Sequence, residues 1–146
     1  MRKSGVLMHI SSLPSPHGIG SMGKPARDFV DFLDKAGQAY WQILPVCPTS
    51  YGDSPYQSFS TFAGNPYFID LDELCKVGYL KRKEYAGIDW ESEPDRVNYE
   101  ALYNKRYVVL RKAAERFLEN PEDGYKEFCH DNKLSLIHIS EPTRHL

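Results

Sequence analysis

Residues 5–46 read "GVLMHISSLPSPHGIGSMGKPARDFVDFLDKAGQAYWQILPV", and the fold follows from how this stretch is divided. "GVLMHI" (5–10) is an unbroken apolar run of strand length, halted by the prolines and glycines of "SSLPSPHGIGSMG". A run without alternation suits a strand covered on both faces. In "PARDFVDFLDKAG" (25–37), Phe29, Val30, Phe32, Leu33 and Ala36 form one helical face, while Arg27, Asp28, Asp31, Asp34 and Lys35 fall mostly on the other. Pro25 suits the first helical turn and Gly37 the C-terminal cap. "YWQILPV" (40–46) reads as a second buried strand. Strand, helix and strand in about forty residues predict a βαβ unit with parallel strands. The class is therefore α/β, and ligand sites in such units sit on loops at the carboxyl ends of the strands.

Outward from this unit, the loop after the second strand, "YGDSPYQSFSTFAGNPYFIDL" (51–71), is the richest in chemistry. Six aromatic residues fall between Tyr51 and Phe68, and Asp53 is the only formally charged residue from Trp41 to Ile69, in a chain that is 26% charged. A sugar ring offers apolar faces that stack on aromatic rings, and hydroxyls that need paired donors and acceptors. Tyr51, Tyr56 and Phe59 can supply faces; Asp53, Ser54, Gln57 and Ser58 can supply hydrogen bonds. Lysines and glutamates would be costly to desolvate beside a neutral polyol. A tightly turned loop packed by its own aromatics accounts for the same composition, and chemistry alone leaves both readings open.

Beyond it, "YFIDL" (67–71) reads as a short extended run. A short helix follows in 70–78, with Asp70 and Glu73 spaced as a capping box and Gly78 past its end. The charged stretch 80–96 reads as a surface excursion, opening an inserted helical segment from about residue 80. Asn98 starts a long helix over 99–120, with Val97 and Leu102 as a hydrophobic staple and residues 121–124 as the stop. Tyr99, Tyr103 and Tyr107 recur along it, a stripe that reads first as half-buried packing. Gly18-Ile-Gly-Ser-Met-Gly23 matches a dinucleotide-binding pattern, yet Pro14 and Pro16 part it from the strand and no acid ends the second strand. His9, near the end of the first strand, points toward a possible active-site mouth.

The chain of 146 residues is 41% hydrophobic with a net charge of -2, which fits one globular domain and predicts no nucleic-acid partner. No apolar run has the length of a secretory h-region or a membrane span, so no membrane association is expected. Cys47, Cys75 and Cys129 are odd in number and lack a CxxC pair, predicting reduced thiols, no metal and a cytoplasmic location.

"YWQILPVCPTSYGDSPYQSFSTFAGNPYFIDL", and above all "GDSPYQSFS" followed by "AGNPY", resembles the signature region of the amylomaltase or 4-α-glucanotransferase (disproportionating enzyme) family; residues 5–37 resemble its first barrel strand and helix. The resemblance implies the N-terminal portion of a (β/α)8 TIM barrel of the α-amylase clan, spanning 1–133 and incomplete in this chain. It implies transfer of an α-1,4-glucan segment to the 4-hydroxyl of another glucan or of glucose by a retaining double displacement, without cofactor. Tyr56 then matches a stacking platform in the sugar groove, with Asp53, Ser54 and Gln57 around it. Tyr51 and Tyr103 match an accessory glucan site. His9 matches a histidine of the same strand. The family's catalytic carboxylates lie on later strands, so no catalytic residue is expected here and the chain itself is expected to be inactive. Residues 134–146, "LSLIHISEPTRHL", resemble the translation of a sequencing adapter over Leu134 to Arg144 and are expected to be a non-native tail. The competing expectations are an α-glucan hydrolase of the same clan and a non-catalytic carbohydrate-binding module.

Overall fold

A computed structural model describes residues 2–50, 52–93 and 95–132; Tyr51 and the expected adapter tail lie outside the described residues. The predicted βαβ unit is present. Strand β1 (Gly5–Leu7) and strand β2 (Tyr40–Gln42) flank helix α1 (Lys24–Lys35). The strands are parallel, pairing Gly5 with Tyr40, Val6 with Trp41 and Leu7 with Gln42. A Cβ on Gly5 would stand 2.6 Å from the Tyr40 carbonyl oxygen, so the close approach of the strands requires glycine there. Helix α1 ends as its sequence suggests. Gly37 takes φ +68°, and the amides of Gln38 and Gly37 donate to the Leu33 and Asp34 carbonyls in a Schellman closure.

The strands are shorter than the apolar runs, and they are not covered on both faces. Ile10 leaves β1 for a 3-10 turn (Ile10–Ser12), and Leu7 and Tyr40 are each 60% exposed. On α1 only Leu33 is buried, while Phe29 is half-buried edge-on to Trp41 and Phe32 stays exposed. Two three-residue strands offer too little surface to cover an amphipathic helix.

The core lies instead beyond the sheet. Ile10, Leu13 and Ile19 from the loop after β1 pack with Tyr67, Phe68 and Leu71, with Leu80, Tyr85 and Trp90, and with Leu102, Val109 and Leu110. The glycine pattern at 18–23 serves this packing: Cβ atoms on Gly18, Gly20 and Gly23 would collide with Trp90, the Ile10 carbonyl and Asp70 respectively. It opens no nucleotide turn.

Three sequence expectations change. "YFIDL" is not extended but begins in a 3-10 turn (Pro66–Phe68), which Asn65 caps by accepting from the Tyr67 amide at 3.0 Å. The predicted capping box of helix α2 (Leu71–Lys76) is half made. Asp70 accepts from the Glu73 amide at 2.9 Å, while the Glu73 carboxylate turns outward to Arg27 and Lys76. The stretch 80–96 is no mere surface excursion, because Leu80, Tyr85 and Trp90 are 2%, 1% and 5% exposed. Charge density concealed its buried aromatics.

The long helix begins at Asn98, whose side chain accepts from the Ala101 amide. It runs as α3 (Tyr99–Ala101), a π turn (Leu102–Arg106) and α4 (Tyr107–Glu119), followed by α5 (Tyr125–Asp131). The π turn ends on a fully buried Arg106. Its Nη1 donates to the His17 carbonyl at 2.9 Å and its Nη2 to the Ile69 carbonyl at 2.8 Å, with the guanidinium 5.8 Å from the centre of the Trp90 ring. One side chain thus ties the loop after β1 and the segment before α2 to the long helix.

Candidate functional site: the loop after β2

The loop that leaves β2 is drawn together by its own backbone. The Ser50 amide donates to the Gln57 carbonyl at 3.0 Å, Asp53 to Ser50 at 3.1 Å, and Gln57 to Ser54 at 3.1 Å. The turn requires positive φ at Gly52 (85°) and at Asp53 (53°); aspartate is among the few side chains that tolerate this region. Downstream, the Ser60 hydroxyl accepts from the Phe62 and Ala63 amides, and the Ser58 hydroxyl donates to the Ser60 carbonyl.

This internal bonding leaves the aromatic rings free. Tyr56 is 72% exposed, Phe59 62% and Phe62 73%. The loop's aromatics divide: Tyr67 and Phe68 pack into the core, while for Tyr56, Phe59 and Phe62 the packing alternative fails. Gln57 is exposed beside it, and Ser54, half-buried, accepts from the Tyr56 amide at 3.3 Å.

Asp53 turns the other way. With His9, Ser12, Thr49 and Tyr99 it lines a cavity of about 150 Å³ walled by Leu44, Pro45 and Phe68. The cavity opens at the carboxyl ends of both strands, where parallel α/β units carry ligands. Burial raises the Asp53 carboxyl above its ordinary value, against the Thr49 hydroxyl that hydrogen-bonds it. His9 is 9% exposed, with its ring edge-on to Phe68 at 5.2 Å. Its Nδ1 has no hydrogen-bond partner, and burial lowers its pKa, so the ring is neutral near pH 7.

Tyr103 does not reach this cavity. It projects from the π turn, 68% exposed, with its ring 5.7 Å from Tyr107. Tyr107 in turn contacts buried Tyr67 at 5.2 Å, and Tyr67 contacts Tyr99 at 6.2 Å. Burial raises the hydroxyl pKa values of Tyr67, Tyr99 and Tyr107. The tyrosine stripe is thus divided. Tyr99 and Tyr107 pack, and Tyr103 alone stands outside.

Sequence reasoning brought His9 and Asp53 to attention separately. It did not join them, and it missed Thr49 and Asn65, whose threonine and asparagine side chains carry no periodic signal. Among the described residues no cluster of three or more histidine, cysteine or acidic side chains is arranged to hold a metal ion, and no helix is long and apolar enough to cross a membrane.

Comparison with known proteins identifies the family. A model of the family described as "4-alpha-glucanotransferase" matches residues 8–140. The 4-alpha-glucanotransferase of Streptococcus pneumoniae is 53% identical over 141 residues, covering 96% of this chain and 28% of that protein. The Thermus thermophilus enzyme of the same name is 50% identical over 124 residues, 84% of this chain and 24% of that one. Among solved structures, the amylomaltase from Streptococcus agalactiae in complex with acarbose superimposes with a TM-score of 0.85 at 46% identity, over 91% of this chain and 27% of that chain. The chain thus spans about a quarter of the length of these relatives, and its βαβ unit is the N-terminal portion of a (β/α)8 TIM barrel that is incomplete here. By sequence and by fold, the chain belongs to the 4-alpha-glucanotransferase family.

Proposed function

We propose that this chain contributes part of the glucan-binding surface of a 4-α-glucanotransferase, which moves a segment of an α-1,4-glucan to the 4-hydroxyl of an acceptor glucan or glucose. Tyr56 carries the reading. Its ring is 72% exposed on a loop at the carboxyl end of β2, beside Ser54 and Gln57 in a stretch, 41–69, that contains no lysine or arginine. A flat apolar face beside uncharged hydrogen-bonding groups suits a sugar ring. That the solved amylomaltase binds acarbose supports α-glucans as the ligand class. Tyr103, with Tyr51, would serve an accessory glucan contact away from the cleavage point. The free cysteines fit a reducing, cytoplasmic compartment.

In the double displacement, one carboxylate forms a glycosyl-enzyme and a second carboxyl acts as acid, then base. We assign neither role to a residue of this chain. Asp53 sits in a binding position, and the isolated chain is proposed to be inactive.

The test uses a full-length 4-α-glucanotransferase carrying the same loop. Because Tyr56 is 72% exposed, Tyr56→Ala should change stability by less than about 0.5 kcal/mol. It should lower kcat/KM on maltotriose about tenfold to a hundredfold, as expected for a lost stacking platform. Tyr103→Ala should spare maltotriose turnover and weaken long-glucan binding. Loss of activity in proportion to loss of thermal stability, in both variants, would refute the sugar reading.

A further inference from the structure

The long helix is interrupted where an exposed aromatic ring stands, and the interruption is anchored from three sides. In the π turn (Leu102–Arg106), Leu102 and Arg106 are fully buried and Tyr103 is 68% exposed. Arg106 fixes the turn inward through the His17 and Ile69 carbonyls. Lys105 fixes it sideways, its Nζ donating to the Asp89 carbonyl at 2.6 Å and to the Glu91 carboxylate. Glu91 itself takes φ +49°, a left-handed conformation uncommon for a side chain other than glycine. The third anchor is Tyr107, whose ring stands 5.7 Å from that of Tyr103 at 75°. Tyr107 is backed in turn by buried Tyr67 at 5.2 Å.

Packing does not explain so much anchoring. Tyr99 and Tyr107 are half-buried against Tyr67, whereas Tyr103 on the same stripe stays in solvent. π turns are rare and recur at functional sites. An exposed tyrosine on an ordinary helix changes rotamer within nanoseconds. Here the edge-to-face pair with Tyr107 restricts the ring, and a ring ordered before its ligand arrives loses less freedom on binding. Whichever ring supplies the edge, at least one face of Tyr103 remains open, and an open aromatic face suits the apolar face of a sugar.

We propose that the π turn is a rigid mount for Tyr103, and that Tyr107 is the positioning residue that holds the Tyr103 ring ready for a long α-glucan. The proposal rests on the accessory glucan contact proposed for Tyr103 above and adds the group that orders it. Tyr107 itself touches no sugar. Arg106 and Lys105 hold the backbone that carries both rings.

The experiment uses a full-length 4-α-glucanotransferase carrying these residues, with amylose as the long-glucan probe. Tyr107→Leu removes the supporting ring, and Tyr107→Phe keeps the ring without its hydroxyl. Each is made alone and together with Tyr103→Ala, and is assayed for amylose binding, kcat/KM on maltotriose and melting temperature. Tyr107→Leu should weaken amylose binding about three- to tenfold, the worth of an aromatic pair, with a smaller loss on maltotriose. Tyr107→Phe should bind amylose like the parent. In the Tyr103→Ala background, Tyr107→Leu should weaken amylose binding no further, because the ring it positions is gone. Unchanged amylose binding in Tyr107→Leu, losses that add across the two positions, or Tyr107→Phe as weak as Tyr107→Leu would overturn the proposal. Equal losses on amylose and maltotriose would make Tyr107 structural and overturn it too. Should Tyr107→Leu fail to fold, Lys105→Met releases the same turn at its rim and should weaken amylose binding about twofold; no change there would refute the mount. If Tyr103→Ala alone leaves amylose binding intact, the accessory-contact reading is what fails, and this proposal falls with it.

Discussion

Replacing Arg106 with leucine tests whether one buried cation organises the core of this chain. Arg106 is fully buried at the end of the π turn and bonds the His17 and Ile69 carbonyls at 2.9 and 2.8 Å. Burial pulls the guanidinium down to about 10, opposed by the negative charge of Asp70, so it remains charged at neutral pH. Hydrogen bonds to a charged donor contribute about 1.5–3 kcal/mol each, so removing both forfeits about 3–6 kcal/mol and leaves two carbonyls unpaired. Leucine regains part of this by ending the desolvation cost of a buried cation, which offsets several kcal/mol in the most favourable cases. The expected net loss is about 2–4 kcal/mol. Arg106→Lys should fall between, because a single ammonium does not span both carbonyls. Urea unfolding at low protein concentration, followed by the fluorescence of Trp90 beside the guanidinium, reads the effect. With a slope of about 2 kcal/mol per molar urea, the middle of the usual range, the midpoint should fall by about 1–2 M or the variant should be unfolded without denaturant. A leucine variant as stable as the parent, or more stable, would refute the tethering role and show that apolar volume suffices.

Acid sensitivity should trace in part to Glu84. Its carboxylate accepts from Arg116 Nη2 at 2.7 Å and Nη1 at 2.8 Å and from the Lys81 amide at 2.8 Å, and these hold its pKa at about 2, with Arg116 the larger cause. A depressed carboxylate pKa contributes stability that is complete above its ordinary value of 4.5 and is lost as pH falls toward 2. Denaturation midpoints of the parent and Glu84→Gln, measured from pH 6 to 2, should therefore converge across that window; a constant gap would contradict the assignment. Two apolar grooves meet at Pro66, Ile69 and Leu74, and Leu7, Phe32 and Tyr40 add exposed apolar surface. The chain should self-associate as concentration rises in sedimentation experiments. Ile69→Lys, at a position 44% exposed, should reduce association without unfolding the chain, and an unchanged distribution would show that these grooves are not the contact.

Local rules written in the sequence determined the βαβ unit. The apolar runs, the face of α1, Pro25 and Gly37 act over one to four residues, where backbone geometry and capping leave few alternatives. The family signature was likewise legible, because charge depletion and the "GDSPYQSFS" string are properties of composition and order. Only tertiary structure decided where the core lies. Tyr85 and Trp90 sit in a charged stretch that looks solvated, and nothing local reveals that the loop after β1 and the long helix close over them. Arg106 reads as an ordinary surface arginine in a helix until the π turn rotates it inward toward two carbonyls from distant segments. The same holds for the pocket. His9 and Asp53 are 44 positions apart in the chain, and they come to share one cavity because a parallel strand pair brings its two carboxyl ends side by side, a relation set by the crossover of α1 rather than by either residue's neighbours.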